Sequence, residues 1–248
     1  TKFFKDYKGA IVAIEAGTHS PWINRLLNEM GLTVYVGNPR RLRFIWDSHD
    51  KSDARDARML GMVCRMEPRL LYPLQHRGGQ AQVDLAVVKS RNALVKGRTD
   101  LVNYTRSIVK TNGDRLPKCS ADYFAKRCKN EIPSELRPAL GHVLKSIEYL
   151  TAKIKELDTK ITHMCKDQYP ETSLLQQVPG VGPVTALSFV LHIDDPSRFS
   201  KSRQVGAFIG LTPRRDQSGD SDKQLCITKA GNKYLRQLLV SCAHYILG

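Results

Sequence analysis

Three zones emerge from the pattern of apolar and polar positions along the chain. Up to about Pro73, short apolar runs alternate with amphipathic segments. Ile11-Val12-Ala13-Ile14 and Thr33-Val34-Tyr35-Val36 read as buried strands. Between them Trp22, Leu26, Leu27 and Met30 recur at helical spacing, with Ser20-Pro21 as a start signal and Gly31 as a stop. Strand, helix and strand with short joints predict an α/β layer with parallel neighbours.

From about Gln80 to Tyr169 the pattern predicts long helices. Val87, Leu94, Leu101 and Ile108 recur every seven residues, with Val88, Val95, Val102 and Val109 beside them. Val143, Ile147, Leu150, Ile154, Leu157, Ile161 and Met164 then step by fours and threes. Spacing of this kind keeps one apolar stripe facing a partner helix, as in a coiled coil. It fits a seam between two chains and a helical hairpin within one chain equally well. Asn112-Gly113-Asp114, Pro133 and Pro138 interrupt the helices. The third zone, from Ser173 to Gly248, carries turn signals at Pro179-Gly180, Gly182-Pro183, Asp195-Pro196, Thr212-Pro213 and Ser218-Gly219. Short helices separated by tight turns are expected there.

Composition narrows the classes. The 248 residues are 41% hydrophobic and 25% charged, which excludes wholesale disorder. No apolar run approaches the ~18 residues of a membrane span, and Thr1 to Gly9 lack the apolar stretch of a secretory signal. A soluble, cytoplasmic protein with no membrane partner is expected. Six cysteines without a CxxC pair argue against a zinc ribbon, and His163 with Cys165 makes only a weak metal pair. The net charge of +15 favours a polyanionic partner, because lysine and arginine release the counterions condensed on phosphates.

Four segments bear candidate chemistry. Glu15 ends the first apolar strand, where α/β sheets place functional groups. Asp53 and Asp56 in Lys51-Ser52-Asp53-Ala54-Arg55-Asp56-Ala57-Arg58 share a helix face. Hard oxygen ligands of this kind suit Mg2+, although Lys51, Arg55 and Arg58 would also serve as ion-pair partners on a solvated helix. Leu174 to Ala186 has the pattern of a helix-hairpin-helix, in which Gly180 and Gly182 allow a tight turn and backbone N–H groups hold a phosphate; a plain helical corner uses the same residues. Arg214-Arg215-Asp216-Gln217-Ser218-Gly219 reads as a polar loop, with Ser218 either a turn residue or a nucleophile beside two guanidinium groups. Lys229, Lys233 and Arg236 begin a basic helix suited to backbone phosphates.

These segments resemble a known family. The runs PGVGPVTALSF, DDPSRFSKSRQVGAFIGLTPRRDQSG and TKAGNKYLRQLLVSCA are similar to the C-terminal domain of the IS110 insertion-sequence transposases. Upstream, AIEAGTHSPWINRLL, VYVGNP and KSDARDARML resemble their RuvC-like domain. The resemblance implies an α/β plus α protein in three parts. Residues 1–78 would be a ribonuclease-H-like (RuvC-like) domain lacking its first strand, 79–170 a helical coiled-coil linker, and 171–248 a C-terminal transposase domain with a helix-hairpin-helix. It implies a DNA recombinase with four acidic residues in the order Asp, Glu, Asp, Asp. Glu15 matches the Glu and Asp53 and Asp56 the final pair, together holding Mg2+. The leading Asp would lie on a preceding strand, so the chain is expected to be truncated at both ends; Asp6 is a poor substitute.

The family likeness also implies that Ser218 is the nucleophile that links covalently to DNA. Gly180, Gly182, Arg214, Arg215, Lys229, Lys233 and Arg236 would then contact DNA. A structured noncoding (bridge) RNA would pair with the DNA and choose its sequence. A homodimer or higher oligomer, associated with the nucleoid, is expected. The alternatives are a metal-dependent nuclease or junction resolvase, and an inactive nucleic-acid-binding remnant.

Overall fold

The computed structural model describes residues 2–42 and 52–247. They fall into two compact units, Thr1–Arg77 and Gly78–Gly248. In the first, β1 (Ile11–Glu15) and β2 (Thr33–Gly37) run parallel in register from Ile11 opposite Thr33 to Glu15 opposite Gly37. A parallel pair needs a crossover, and α1 (Ser20–Glu29) supplies it. Pro21 starts this helix, where its missing N–H is harmless, and the Ser20 hydroxyl donates to the Gly17 carbonyl. Gly31 at φ +81° ends the connection, a conformation that disfavours a side chain.

Helix α2 (Asp53–Met66) follows, capped by Ser52, whose hydroxyl accepts from Arg55 N–H at 3.3 Å. Its Leu60, Val63 and Cys64 pack with Leu42 and Leu71, with Ala13 and Tyr35 of the strands against them. Gly37 stands where a Cβ would come to 2.9 Å from Leu42, so close packing at the end of β2 selects glycine. The free side of β2 is partly covered: Asn38 N–H donates to Leu71 O and Leu74 N–H to Val36 O. The strand, helix, strand expectation therefore holds. Among the described residues this sheet has two strands.

The second unit is built on α3 (Gly79–Thr111) and α5 (Arg137–Asp167), which pack antiparallel within one chain. Val102 and Val109 meet Leu140, Leu144 and Ile147 at the far end, while Ala81, Leu85 and Val88 meet Ile161, Met164 and Cys165 near the base. The heptad stripes thus face each other, and of the two arrangements the periodicity allowed, the intrachain hairpin is the one present. The stripe is not uniformly apolar. Arg91 donates to Asp158, and Arg98, only 8% exposed, reaches Asp122 and the Thr151 hydroxyl. Thr105 and Thr151 are buried but return their hydroxyl protons to carbonyls one turn back, so neither is orphaned.

Short α4 (Phe124–Cys128) closes the hairpin tip, its Phe124 fully buried. After α5 come α6 (Thr172–Leu175), α7 (Pro183–Ile193), α8 (Arg203–Ile209) and the terminal α9 (Lys233–Leu247). Between α8 and α9 the expected helical content is replaced by an antiparallel hairpin, β3 (Pro213–Ser218) and β4 (Ser221–Ile227). Every residue of both strands is exposed. With neither face buried, the apolar alternation that marks a strand is missing from the sequence. Among the described residues no helix is long and apolar enough to cross a membrane.

Candidate functional site

Strand β1 delivers Glu15 to its carboxyl end, and the first turn of α2 delivers Asp53 and Asp56. Acids in a first helical turn are favoured by the unpaired N–H groups there. Partial burial and then the nearby Asp56 carboxylate both push the Glu15 acid above its ordinary range. Two carboxylates from separate elements therefore lie within electrostatic reach of each other. Repulsion between like charges is relieved by a proton or a cation, and two hard oxygen donors suit magnesium. Glu15 and Asp56 fit one side of such a site. Asp53 is more exposed, and among the described residues no group of three or more His, Cys, Asp or Glu is placed to hold a metal ion. Lys51, the other cation considered beside these acids, lies outside the described residues. Asp6 ends a short 3-10 turn with no buried residue. His163 is exposed and lies beside Asp167, whereas Cys165 is buried with its thiol toward the Pro183 carbonyl, so these two do not face a common ligand.

In the second unit Gly180 and Gly182 occupy the turn between α6 and α7. Gly180 has φ +80°, and a Cβ there would lie 3.0–3.1 Å from Tyr245 and from the Cys242 carbonyl. The Cys242 thiol donates to Gly180 O at 3.0 Å. This glycine thus has a packing role against α9. Gly182 caps α7 with open space around its Cα, and Pro183 opens the helix.

Ser218 stands at the tip of the β3–β4 hairpin, paired across it with Ser221. The connection is the two-residue Gly219-Asp220 turn, with positive φ at Gly219 alone, as a type II′ turn requires. Strand alternation places Ser218 with Asp216 and Lys223 on one face, and Arg215 with Gln217 on the other. The expected loop with both arginines beside the serine is thus corrected. Arg214 falls at an irregularity at the base of the hairpin, lining a depression with Lys229.

Residues 172–247 match the profile of the IS116/IS110/IS902 transposase family. Across 96% of its length the chain is 31% identical to the transposase for insertion sequence element IS1111A of Coxiella burnetii, covering 66% of that protein. The chain belongs to the IS116/IS110/IS902 transposase family. It is also 28% identical to the transposase for insertion sequence element IS1328 of Yersinia enterocolitica, over 98% of this chain and 72% of that one. The pilin gene-inverting protein of Moraxella bovis is 34% identical over 98 residues, 38% of this chain and 30% of that protein. The chain spans about two thirds of the length of the insertion-sequence transposases it matches.

Within this transposase-family region, Arg236, expected to contact phosphate, is engaged in the fold itself. Its guanidinium donates to Ile209 O at 3.0 Å and Gly231 O at 2.7 Å, tying α9 to the end of α8. The crossing it ties is tight: a Cβ on Gly231 would be 2.2 Å from Phe208 O, and one on Gly210 2.3 Å from Ala230 N. Lys229, at φ +54°, and Lys233 remain exposed beside the crossing. Asn232 caps α9 by accepting from Leu235 N–H. Sequence reasoning passed over Arg91, which joins Asp158 and Tyr234 and so links α3, α5 and α9. An arginine and an aspartate inside otherwise apolar heptads were the available signal.

Proposed function

We propose that this transposase-family chain contributes to DNA strand cleavage and exchange through a covalent serine intermediate. The observation that carries the reading is the exposed Ser218 at the hairpin tip, inside the transposase-family region. In the proposed step the Ser218 oxygen attacks a DNA phosphorus, a Ser–O–P bond forms, and the P–O bond to one sugar oxygen breaks. The Ser218 hydroxyl proton passes to water, and the departing sugar oxygen takes a proton back from that water, so it leaves as a hydroxyl. A hydroxyl of a second strand then attacks the phosphoserine, restores Ser218 and forms the exchanged strand. Phosphate-bond energy is conserved throughout, so no nucleotide cofactor is needed.

Glu15 and Asp56, with Asp53 three residues before Asp56 on its helix, would hold Mg2+; when bound, the ion supplies charge neutralisation at the scissile phosphate. Lys229, Lys233, Arg214 and Arg215 supply positive charge for the backbone, and Gly182 the turn of a phosphate-binding helix start. Sequence choice would come from a structured noncoding RNA, consistent with a net charge of +15 that favours phosphates whatever the base sequence. The ribonuclease-H-like assignment of residues 1–78, the helix-hairpin-helix assignment around Gly180–Gly182, an oligomeric assembly and a nucleoid location belong to the same proposal. A recombination role fits the gene-inverting proteins among the relatives.

The test is a denaturing gel of labelled element-end DNA incubated with the protein, its RNA and magnesium. A covalent adduct is expected with serine present and none with Ser218→Ala. Adducts that persist in Ser218→Ala, or cleaved ends without any adduct, would exclude the serine and favour a water-activating nuclease.

A further inference from the structure

At the tip of the helical hairpin a cavity of about 290 Å³ opens between α4 and α5. Its floor is apolar, formed by Ala125, Ile132 and Leu144, and its rim carries Lys129, Lys145 and Arg137 against a single acid, Glu148. Gly141 lies in the middle of this wall on α5, where glycine weakens a helix relative to alanine. A Cβ there would meet nothing within 4 Å, so packing does not demand the glycine; its absent side chain enlarges the cavity. Arg137 is held in place by donating to Ile132 O at 3.1 Å. Lys129 and Lys145 are exposed and, among the described residues, engage no carboxylate. Around α4, Tyr123, 68% exposed, stands with Lys126 and Arg127 over a second depression.

An apolar slot with a cationic rim matches a planar base joined to phosphates. Its volume is at the small end of ligand pockets, which suits one base. We propose that the hairpin tip docks one unpaired nucleotide of single-stranded DNA, its base on the Ile132–Leu144 floor and its flanking phosphates on Lys129 and Lys145. This rests on the strand-exchange reading, since strand exchange exposes unpaired DNA. It places a second DNA contact on a part of the chain remote in sequence from the hairpin serine.

The experiment is fluorescence anisotropy of the full 248-residue chain with a labelled single-stranded 12-mer, titrated at several salt concentrations. Each lysine that meets a phosphate adds about 0.7 to the slope of log K against log salt for single strands. Lys129→Gln with Lys145→Gln is therefore expected to flatten the slope by about 1.4, while Lys89→Gln with Lys96→Gln, the same charge change elsewhere, leaves it in place. Gly141→Leu, which fills the slot without altering charge, should weaken binding about tenfold, as should an abasic 12-mer with the parent protein.

Equal effects from both lysine pairs, or abasic DNA binding as tightly as normal DNA, would overturn the proposal. Tighter binding of an RNA 12-mer of the same sequence, or displacement of DNA by polyglutamate at equal charge, would overturn the assigned occupant. Circular dichroism melts confirm that each variant is folded. Adduct formation at Ser218 is read separately, so failure at the tip leaves the serine chemistry standing, and the converse.

Discussion

Arg98 offers a sharp test of the hairpin that carries this cavity. Its guanidinium is enclosed between α3 and α5, paired to Asp122 and 3.3 Å from the Thr151 hydroxyl. Asp122→Asn removes the charge but leaves Arg98 in place. Breaking a fully buried pair typically costs 3–5 kcal/mol. The Asp122 side chain is 52% exposed, so solvent screening reduces the expected loss to about 2 kcal/mol. Arg98→Met should behave differently. Methionine continues the apolar stripe, Thr151 still donates to Ile147 O, and Asp122 regains water, so the change should stay within about 1 kcal/mol of zero. In the Arg98→Met background Asp122→Asn should then cost almost nothing. Urea unfolding of the four proteins closes the cycle. An Arg98→Met loss as large as that of Asp122→Asn would refute the claim that the stripe tolerates the charge only through its partner.

Three further outcomes follow from the site geometry. Glu15 has a folded-state pKa above its ordinary 4.5, so the native chain holds that proton more tightly than the unfolded chain. Stability is unaffected well below the ordinary value and falls as pH rises through the folded one; Glu15→Gln in chelator should therefore gain stability near pH 7 and not near pH 4, and equal gains at both would contradict the upward shift that burial and then Asp56 impose. Arg236→Ala strips charged donors from two carbonyls and should cost about 2 kcal/mol in thermal unfolding. It should leave the salt slope of DNA binding unchanged, whereas a slope change without loss of stability would restore Arg236 to the phosphate-contacting set. Burial and the neighbouring Cys119 thiol raise Cys128 to about 11, so it should resist alkylation near pH 8 until the chain unfolds, while exposed Cys226 labels in the native state. Mass mapping of the labelled cysteines distinguishes the two.

What the sequence reveals depends on whether a residue's role is periodic or positional. Ile11–Glu15, α1 and Thr33–Gly37 were legible because burial on a layer imposes apolar runs and helical spacing. The long helices were legible for the same reason, yet the partner of their stripe was not, since heptads record that a face is covered and not by which helix. The β3–β4 hairpin escaped because its strands bury neither face; only Gly219 signalled its turn. Gly180 and Arg236 illustrate a different limit. A glycine turn and a basic helix announce conformation and charge, but which surface they meet is set by α9 returning to α7 and α8, long-range contacts with no local trace. The strand end at Glu15 and the helix start at Asp53 and Asp56 were legible because element boundaries fix both positions, but only the family resemblance grouped the three acids.

The hairpin also bears on when Ser218 becomes competent. Its base is anchored: Thr228 N–H donates to Thr212 O and Lys229 N–H to Gly210 O, where Gly210 and Gly231 let two backbones cross. Beyond that base, among the described residues, the sheet has just these two strands, and an isolated two-stranded ribbon is marginally stable in water. Side chains on both faces are solvated, with no apolar layer to fix the tip. In the proposed reaction, orientation of the Ser218 hydroxyl would therefore come from the surface the ribbon meets, the phosphate backbone included. Attack before DNA is seated would be suppressed without any separate inhibitory element, because the rigid part of the device ends at the glycine crossing.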